Sequence, residues 1–368
     1  MFDPNPSNLP NLDNLVSHDL KLLAGTKWQP LSPRLTKLLI NARANIAQLN
    51  GYCLAVPNPY LILSPSILRE SLASSEIENI QTTLIEALQS ALFPEIERRE
   101  PDKEVLRYSD AVMWGYQQIQ SGLPIVSRII TGIQDNLMPN QGGYRTSQNV
   151  IWNPTTKEII LVPPKANELS DFIKDWENFV NTEDDLDPLI KIAIAHYQFE
   201  SIHPFNDGNG RTGRILMVLE LVQKQLLSLP ILYLSGYIVA NKSGYYQALQ
   251  SVRKTGDWEQ YLEFILLALA TQARATSQTF LDITQLLIKQ KKDFKSQLPK
   301  IYSHELLEEL FNSPIVSPVS LGRKLNIHYT TASKYLKAMT SIGILTTTKV
   351  GKNQFYINSE LITLLTQK

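Results

Sequence analysis

The stretch "HPFNDGNGRTGR", residues His203–Arg214, places histidine, aspartate, asparagine, three glycines and two arginines within twelve positions. Pro204 disfavours helical geometry at the residue before it, so the preceding helix should end at His203 and leave its imidazole at a loop mouth. Gly208 and Gly210 permit a tight backbone, and the apolar periodicity that follows predicts a helix starting near Arg211. Backbone N–H groups converging at such a helix start form an anion site. Arg211 and Arg214, three residues apart, can reach the same anion, and Asp207 offers a hard oxygen suited to Mg²⁺ shared with a phosphate. Gly208 to Gly213 has P-loop spacing, but Arg214 and Ile215 stand where Lys and Ser/Thr are required. An EF-hand loop begun at Asp207 would need a glutamate where Val218 stands. A merely polar capping loop would account for the Asp, Asn and Gly residues but not for two arginines and a histidine together.

On either side lie "DPLIKIAIAHYQFESI" and "RILMVLELVQKQLL", both read as helices. Further upstream, "SPSILRESLASSEIENIQTTLIEAL" carries Ile67, Leu68 and Leu72 at helical spacing, with Ser64 as a candidate cap and Pro65 in the first turn. Ser74 and Glu78 share one face of that helix. An amphipathic helix is expected from Arg107 to Gln120. Between them and the motif, Asn149–Trp152 and Glu158–Val162 flank the turn-prone Asn153-Pro154 and read as a hairpin. The fold class is therefore mainly α with one hairpin, without internal repeats.

The 368 residues suit two or three compact units. We divide them into an extended arm at 1–34, rich in Pro and Asn; a helical region at 35–100; a core at 101–270; a helical linker at 271–302; and a terminal unit at 303–368. That last unit reads helix, helix, turn, helix, then two strand-like runs around Gly351, which is a winged helix-turn-helix. It holds seven basic residues against four acidic ones, so an anionic partner such as DNA, or another protein, is open to it. Across the whole chain, 35 Lys+Arg balance 35 Asp+Glu, which excludes indiscriminate coating of nucleic acid or membrane. The one cysteine, Cys53, allows no intrachain disulfide and reads as a small buried residue. No signal peptide and no apolar run of about 18 residues is evident, so a cytoplasmic location without membrane contact is expected.

The motif resembles, at every fixed position, the HPFx[D/E]GNGRxxR signature of Fic proteins, which attach AMP from ATP to hydroxyl side chains of target proteins. The resemblance extends over roughly residues 60–265. It implies a Fic-type helical core with His203 as general base. Asp207 would hold Mg²⁺ or Mn²⁺, and Gly208, Asn209, Gly210, Arg211, Thr212, Gly213 and Arg214 would surround the ATP phosphates, Arg214 taking the γ-phosphate. Tyr245 and Tyr246 would flank the adenosine. "GGYRTSQNVIWNP" is similar to the target-docking flap, which would involve Thr146, Asn149, Val150, Ile151 and Trp152. "SSEIENI" looks like the family's inhibitory [S/T]xxxE[G/N] motif, with Ser74, Glu78 and Asn79 at its fixed places and Glu78 pairing with Arg214. His196 is read as structural.

The expected activity is thus a self-inhibited protein adenylyltransferase that modifies Ser, Thr or Tyr hydroxyls of targets and of itself. Two other classes stay open. One is a Fic-fold enzyme with different phosphate chemistry, such as another nucleotide, phosphocholine, or AMP removal. The other is a nucleotide-sensing winged-helix regulator, against which the intact His203 speaks. A homodimer is also open.

Overall fold

In the computed structural model, the described residues are 19–366, apart from Lys27, Pro30, Val56, Pro57, 153–157 and Gly351. Most of the extended arm, the Asn153-Pro154 turn and Gly351 of the wing therefore lie outside the described residues. The helices are α1 (Pro33–Ala55), α2 (Leu63–Ile77), α3 (Leu84–Ser90), α4 (Glu100–Gln120), α5 (Ser127–Leu137), α6 (Leu169–Asn181), α7 (Pro188–Ile202) and α8 (Asn209–Gln223). They continue as α9 (Leu234–Ala240), α10 (Lys242–Thr255), α11 (Trp258–Gln297), α12 (His304–Asn312), α13 (Pro318–Lys324), α14 (Tyr329–Ser341) and α15 (Ser359–Thr366). The strands are β1 (Ile151–Trp152), β2 (Ile159–Leu161), β3 (Ile315–Val316), β4 (Thr346–Val350) and β5 (Asn353–Ile357).

The fold is organised around α7 and α8. Every residue of α7 from Leu189 to Ile202 is buried, and so is α8 from Arg211 to Val222. Helices buried on all sides sit at the centre of a bundle, and here α2, α4, α5, α6 and α11 pack around this pair. The segment joining the two, 203–208, is short and surrounded by core, which gives its side chains fixed positions. Trp176 of α6 exemplifies the fit: it is fully buried, and its indole N–H donates to the Ala195 carbonyl at 2.8 Å. Cys53 is buried on α1, and burial pushes its thiol up to about 12, away from any reactive thiolate.

Three boundaries differ from the sequence reading. Helix α2 begins at Leu63, running on from a 3₁₀ turn at Pro59–Ile62, so Ser64 is inside the helix and caps nothing. Helix α4 starts at Glu100, because Pro101 tolerates the first turn and acidic Glu100 and Asp102 favour a helix start. Helix α8 starts at Asn209, with Gly208 at φ 78° as its N-cap, two residues earlier than the apolar pattern suggested.

β1 and β2 pair antiparallel, Ile151 opposite Leu161, and form the base of the expected hairpin. At the C-terminal end, β3, β5 and β4 form an antiparallel sheet beside α12–α14, the winged arrangement, to which α15 adds a helix not foreseen in the sequence. Helix α11 is continuous for 40 residues and carries the chain from the core to this unit. The unit is docked rather than tethered. α15 packs on α11, α2 and α3, α12 packs on α2 and the 3₁₀ turn, and Phe93 meets Phe355 edge-on at 5.9 Å. Gln290 of α11 and Asn358 exchange two amide hydrogen bonds at 3.1 Å, both buried. Gln290→Ala would leave a buried amide partly unsatisfied, at a cost of about 1–3 kcal/mol. A lowered urea midpoint is expected, and an unchanged midpoint would show that the pair contributes nothing.

Candidate active site

The loop between α7 and α8 opens into a cavity of about 1370 Å³. His203, Asp207, Gly208, Asn209, Gly210, Arg211 and Arg214 line one wall. The end of α2 (Ile77, Glu78, Asn79), the hairpin (Val150–Trp152 with Glu158–Ile160) and α10 (Lys242, Tyr245, Tyr246) line the others.

His203 follows the last residue of α7 in left-handed geometry, φ 48°, and closes the helix through its N–H to the Phe199 carbonyl at 3.0 Å. Its Nδ1 faces the Glu200 carbonyl at 3.4 Å, and a carbonyl only accepts, so the proton belongs on Nδ1 and Nε2 keeps its lone pair. The loop is braced from three sides. Arg145 binds the His203 and Ser147 carbonyls, each at 3.0 Å, and also the Pro164 carbonyl, while its own N–H donates to Pro204. Gln134 of α5 donates to the Asp207 carbonyl at 2.9 Å and accepts from the Thr212 hydroxyl at 3.0 Å. The Asn209 side chain turns inward and spans Phe205, accepting from its N–H and donating to its carbonyl, both at 2.8 Å. The first intrahelical bond of α8 runs from Thr212 N–H to Gly208, so the N–H groups of Asn209, Gly210 and Arg211 have no helical acceptor. With the positive end of α8 they present the geometry of an anion site, as expected from the sequence.

Arg214, one turn into α8, is only 1% exposed. Its Nε donates to the Ser74 hydroxyl at 2.8 Å, and its Nη2 donates to the Ser74 carbonyl at 3.0 Å and to Glu78 Oε1 at 2.9 Å. Burial works against the charge of both groups, but each stabilises the other. The Glu78 carboxyl is held below its ordinary value by Arg214, and the guanidinium is raised by Glu78. The "ENI" of the sequence has a backbone reason. Ile80 N–H returns to Ser75 and Asn79 N–H to Glu76, with Asn79 at φ 64°, which is a Schellman closure. A residue tolerant of left-handed geometry after the glutamate stops the helix so that Glu78 projects from its end. Gly210 completes the fit, since a Cβ there would stand 2.5 Å from Glu78 Oε1.

Residues 36–117 match the profile of the Fic/DOC family N-terminal region, 123–221 that of the Fic/DOC family, and 286–361 that of the protein adenylyltransferase SoFic-like C-terminal domain. The chain belongs to the Fic/DOC family. A relative in Aquifex aeolicus (strain VF5), described as a probable protein adenylyltransferase, is 29% identical over 192 residues, 50% of this chain and 57% of that protein. Protein adenylyltransferase fic-1 of Caenorhabditis elegans is 32% identical over 126 residues, 34% of this chain and 22% of that protein. The match thus spans between about a fifth and somewhat over half the length of these relatives. Among solved structures, a Fic family protein from Desulfovibrio desulfuricans G20 shares the fold at TM-score 0.58 and 19% identity, covering 90% of this chain and 98% of its own. A Fic domain containing signaling protein from Bacteroides thetaiotaomicron does so at TM-score 0.55 and 16% identity, covering 67% of this chain and 97% of its own.

The Fic core brings most of the motif to the cavity, but not all of it. Thr212 and Gly213 face away, because each helical residue turns about 100° from the last. Thr212 bonds Gln134, and Gly213 packs on α7, where a Cβ would stand 2.6 Å from Glu200 Oε1. Asn209 offers its backbone to the cavity, its side-chain amide being committed to Phe205. Arg211 reaches the wall already paired to Glu104 at 2.7 Å. Tyr246 is 46% exposed toward the cavity, whereas Tyr245 is buried with its hydroxyl against His196 Nε2 at 2.8 Å. Of the hairpin residues, Val150, Ile151 and Trp152 line the cavity. Thr146 is exposed outside it, and Asn149 is buried and donates to the Phe205 carbonyl at 3.2 Å. The sequence reading missed Arg145, Gln134 and Glu104. They lie 58 to 107 residues from their partners in the motif, and no local spacing marks them.

Burial, and then the positive charges of Arg253 and Arg145, lower the His203 imidazole from 6.5 to about 4. Between those values the unfolded chain holds more protons, so this group's support for the fold is complete above 6.5 and declines as pH falls toward about 4. An NMR titration of the His203 ring should show a midpoint near 4, and a midpoint at or above 6.5 would contradict the buried, neutral imidazole.

Proposed function

We propose that this Fic protein is an adenylyltransferase that moves AMP from ATP to Ser, Thr or Tyr hydroxyls of other proteins and of itself, and that Glu78 holds it inactive. The observation that carries the reading is the Glu78 to Arg214 contact of 2.9 Å, made inside the cavity that also holds His203 and the free N–H groups of α8.

In the active arrangement, the target hydroxyl approaches His203, which accepts its proton on Nε2. The hydroxyl oxygen forms a bond to the α-phosphorus, the bond to the bridging oxygen of the β-phosphate breaks, and pyrophosphate leaves with that electron pair. Charge gathering on the phosphoryl oxygens faces the N–H groups of Asn209, Gly210 and Arg211, donors already fixed by the braced loop. Arg211 and Arg214 lie along the run of phosphates, and Arg214 takes the γ-phosphate. Tyr246 stands where the adenosine would lie, with Tyr245 behind it.

Asp207 suits a magnesium or manganese ion. Its Oδ1 accepts from Gly208 N–H at 2.6 Å and its carboxylate borders the cavity, matching a cation that takes one protein carboxylate and otherwise phosphates and water. Such an ion would neutralise phosphate charge and orient the leaving group. Val150–Trp152 and Ile159–Ile160 form the wall along which a target segment would lie beside His203. In the C-terminal unit, Lys334 and Lys337 of α14 and Lys349 and Lys352 of the wing are exposed, and we assign this unit to partner selection, by protein or DNA. No helix among the described residues is long and apolar enough to cross a membrane, and we place the reaction in the cytoplasm, where ATP is available.

With Glu78 in place, Arg214 is occupied and a carboxylate stands where the γ-phosphate belongs. Bound ATP then cannot present its α-phosphate to the target hydroxyl. Glu78→Gly should raise self-labelling from α-labelled ATP by about tenfold or more. Adding His203→Ala should abolish the labelling, and excess chelator should suppress it. Equal labelling by wild type and Glu78→Gly would refute the inhibition. Labelling only with another nucleotide or a phosphocholine donor would reassign the chemistry.

A further inference from the structure

Lys242 is the first residue of α10, where a cation is disfavoured by the positive end of its own helix. Arg253 and Lys254, the other basic residues of α10, lie in its last turn, where the dipole favours them. A residue that breaks a local rule usually has a compensating partner elsewhere. The Lys242 ammonium reaches out of α10 to the end of α2, donating to the Ile77 carbonyl at 2.6 Å and lying 3.5 Å from Asn79 Oδ1.

That carbonyl is one of the last four of the inhibitory helix, which have no acceptor role within it. The accounting at this end is complete. Ser75 accepts from Glu78 and Ile80, and Glu76 accepts from Asn79. Ser74 accepts from Arg214, and Ile77 accepts from Lys242. Two carbonyls are therefore closed by backbone and two by cations. A carboxylate at a helix C-terminus is repelled by the dipole, so Glu78 is held there by Arg214 while Lys242 closes the helix end that carries it. About two turns earlier, Glu70 of α2 accepts from Ser235 N–H at 2.9 Å at the start of α9, so the helix is anchored upstream independently of Lys242.

We propose that Lys242 is a positioning residue of the inhibition: it clamps the end of α2 to α10 and thereby keeps Glu78 against Arg214. The clamp borders the same cavity as Tyr246, so the helix that meets the nucleotide's base end also holds the inhibitory end. This rests on the reading that Glu78 inhibits transfer, and the test separates the two.

Lys242→Met keeps the aliphatic stem and removes the donor. In the full chain it is expected to raise self-labelling from ATP roughly tenfold, the scale of one charge-assisted hydrogen bond. In a Glu78→Gly background the same change should alter labelling by less than about twofold, because nothing is left to position. Lys242→Arg, which retains a cationic donor, should stay near the wild-type rate. Hydrogen exchange of the unliganded protein gives an answer independent of activity. Amides at 78–82 should exchange faster in Lys242→Met than in wild type, while those of α7 and α8 report an intact core. Unchanged exchange at 78–82, equal effects of Lys242→Met in both backgrounds, or an arginine variant as active as the methionine variant would overturn the clamp. If Glu78→Gly itself gains no activity, the inhibition reading fails, and the exchange measurement still decides whether Lys242 holds the helix end.

Discussion

A guanidinium buried to 1% exposure cannot stand alone, and the site is arranged around that constraint on Arg214. The charge is retained because desolvation is offset by an anion and hydrogen bonds, and the only question is which anion supplies them. In this structure it is Glu78, aided by the hydroxyl and carbonyl of Ser74. A γ-phosphate offers the same charge and more acceptor atoms. On the proposed reading the two compete for one buried cation, and a single carboxylate of the same chain supplies the inhibition.

The bundle makes that competition possible by fixing everything around it. Helices α7 and α8 are buried on all sides, so the loop between them has little freedom, and Arg145, Gln134 and the Asn209 amide remove most of the rest. Pre-positioned N–H donors need not reorganise when charge develops on a transferring phosphate. Helix α2 is held differently, by Ser235 at its middle, by Lys242 at its last residue, and by packing against the docked C-terminal unit. The winged unit, which packs on α2, sits where binding of a partner would be felt by that helix.

Much of this was legible in the sequence, and the reasons are local. Pro204 and Gly208 mark the helix end and the helix start, and the shared direction of Arg211 and Arg214 follows from helical spacing. Ser74 and Glu78 fall on one face for the same reason, and the structure brings both to Arg214. What was not legible depends on tertiary contacts. Nothing near Asn209 says that its side chain serves Phe205 rather than the cavity, and nothing near Arg211 names Glu104, 107 residues away. The inward turn of Thr212 and Gly213 follows only once the start of α8 is fixed at Asn209. Tyr245 and Tyr246 look alike in sequence, yet one seals the core against His196 and the other faces the cavity.

The claim that Glu78 and the γ-phosphate share one arginine is tested most directly by calorimetry of ATP and ADP binding, in the presence of Mg²⁺, to wild type and to Glu78→Gly. In wild type, where Arg214 is occupied, the two nucleotides should bind with similar affinity. In Glu78→Gly, ATP should gain over ADP by about tenfold or more, the scale of a charge-assisted contact in a buried site. An ATP-to-ADP preference that is the same in both proteins would contradict the account.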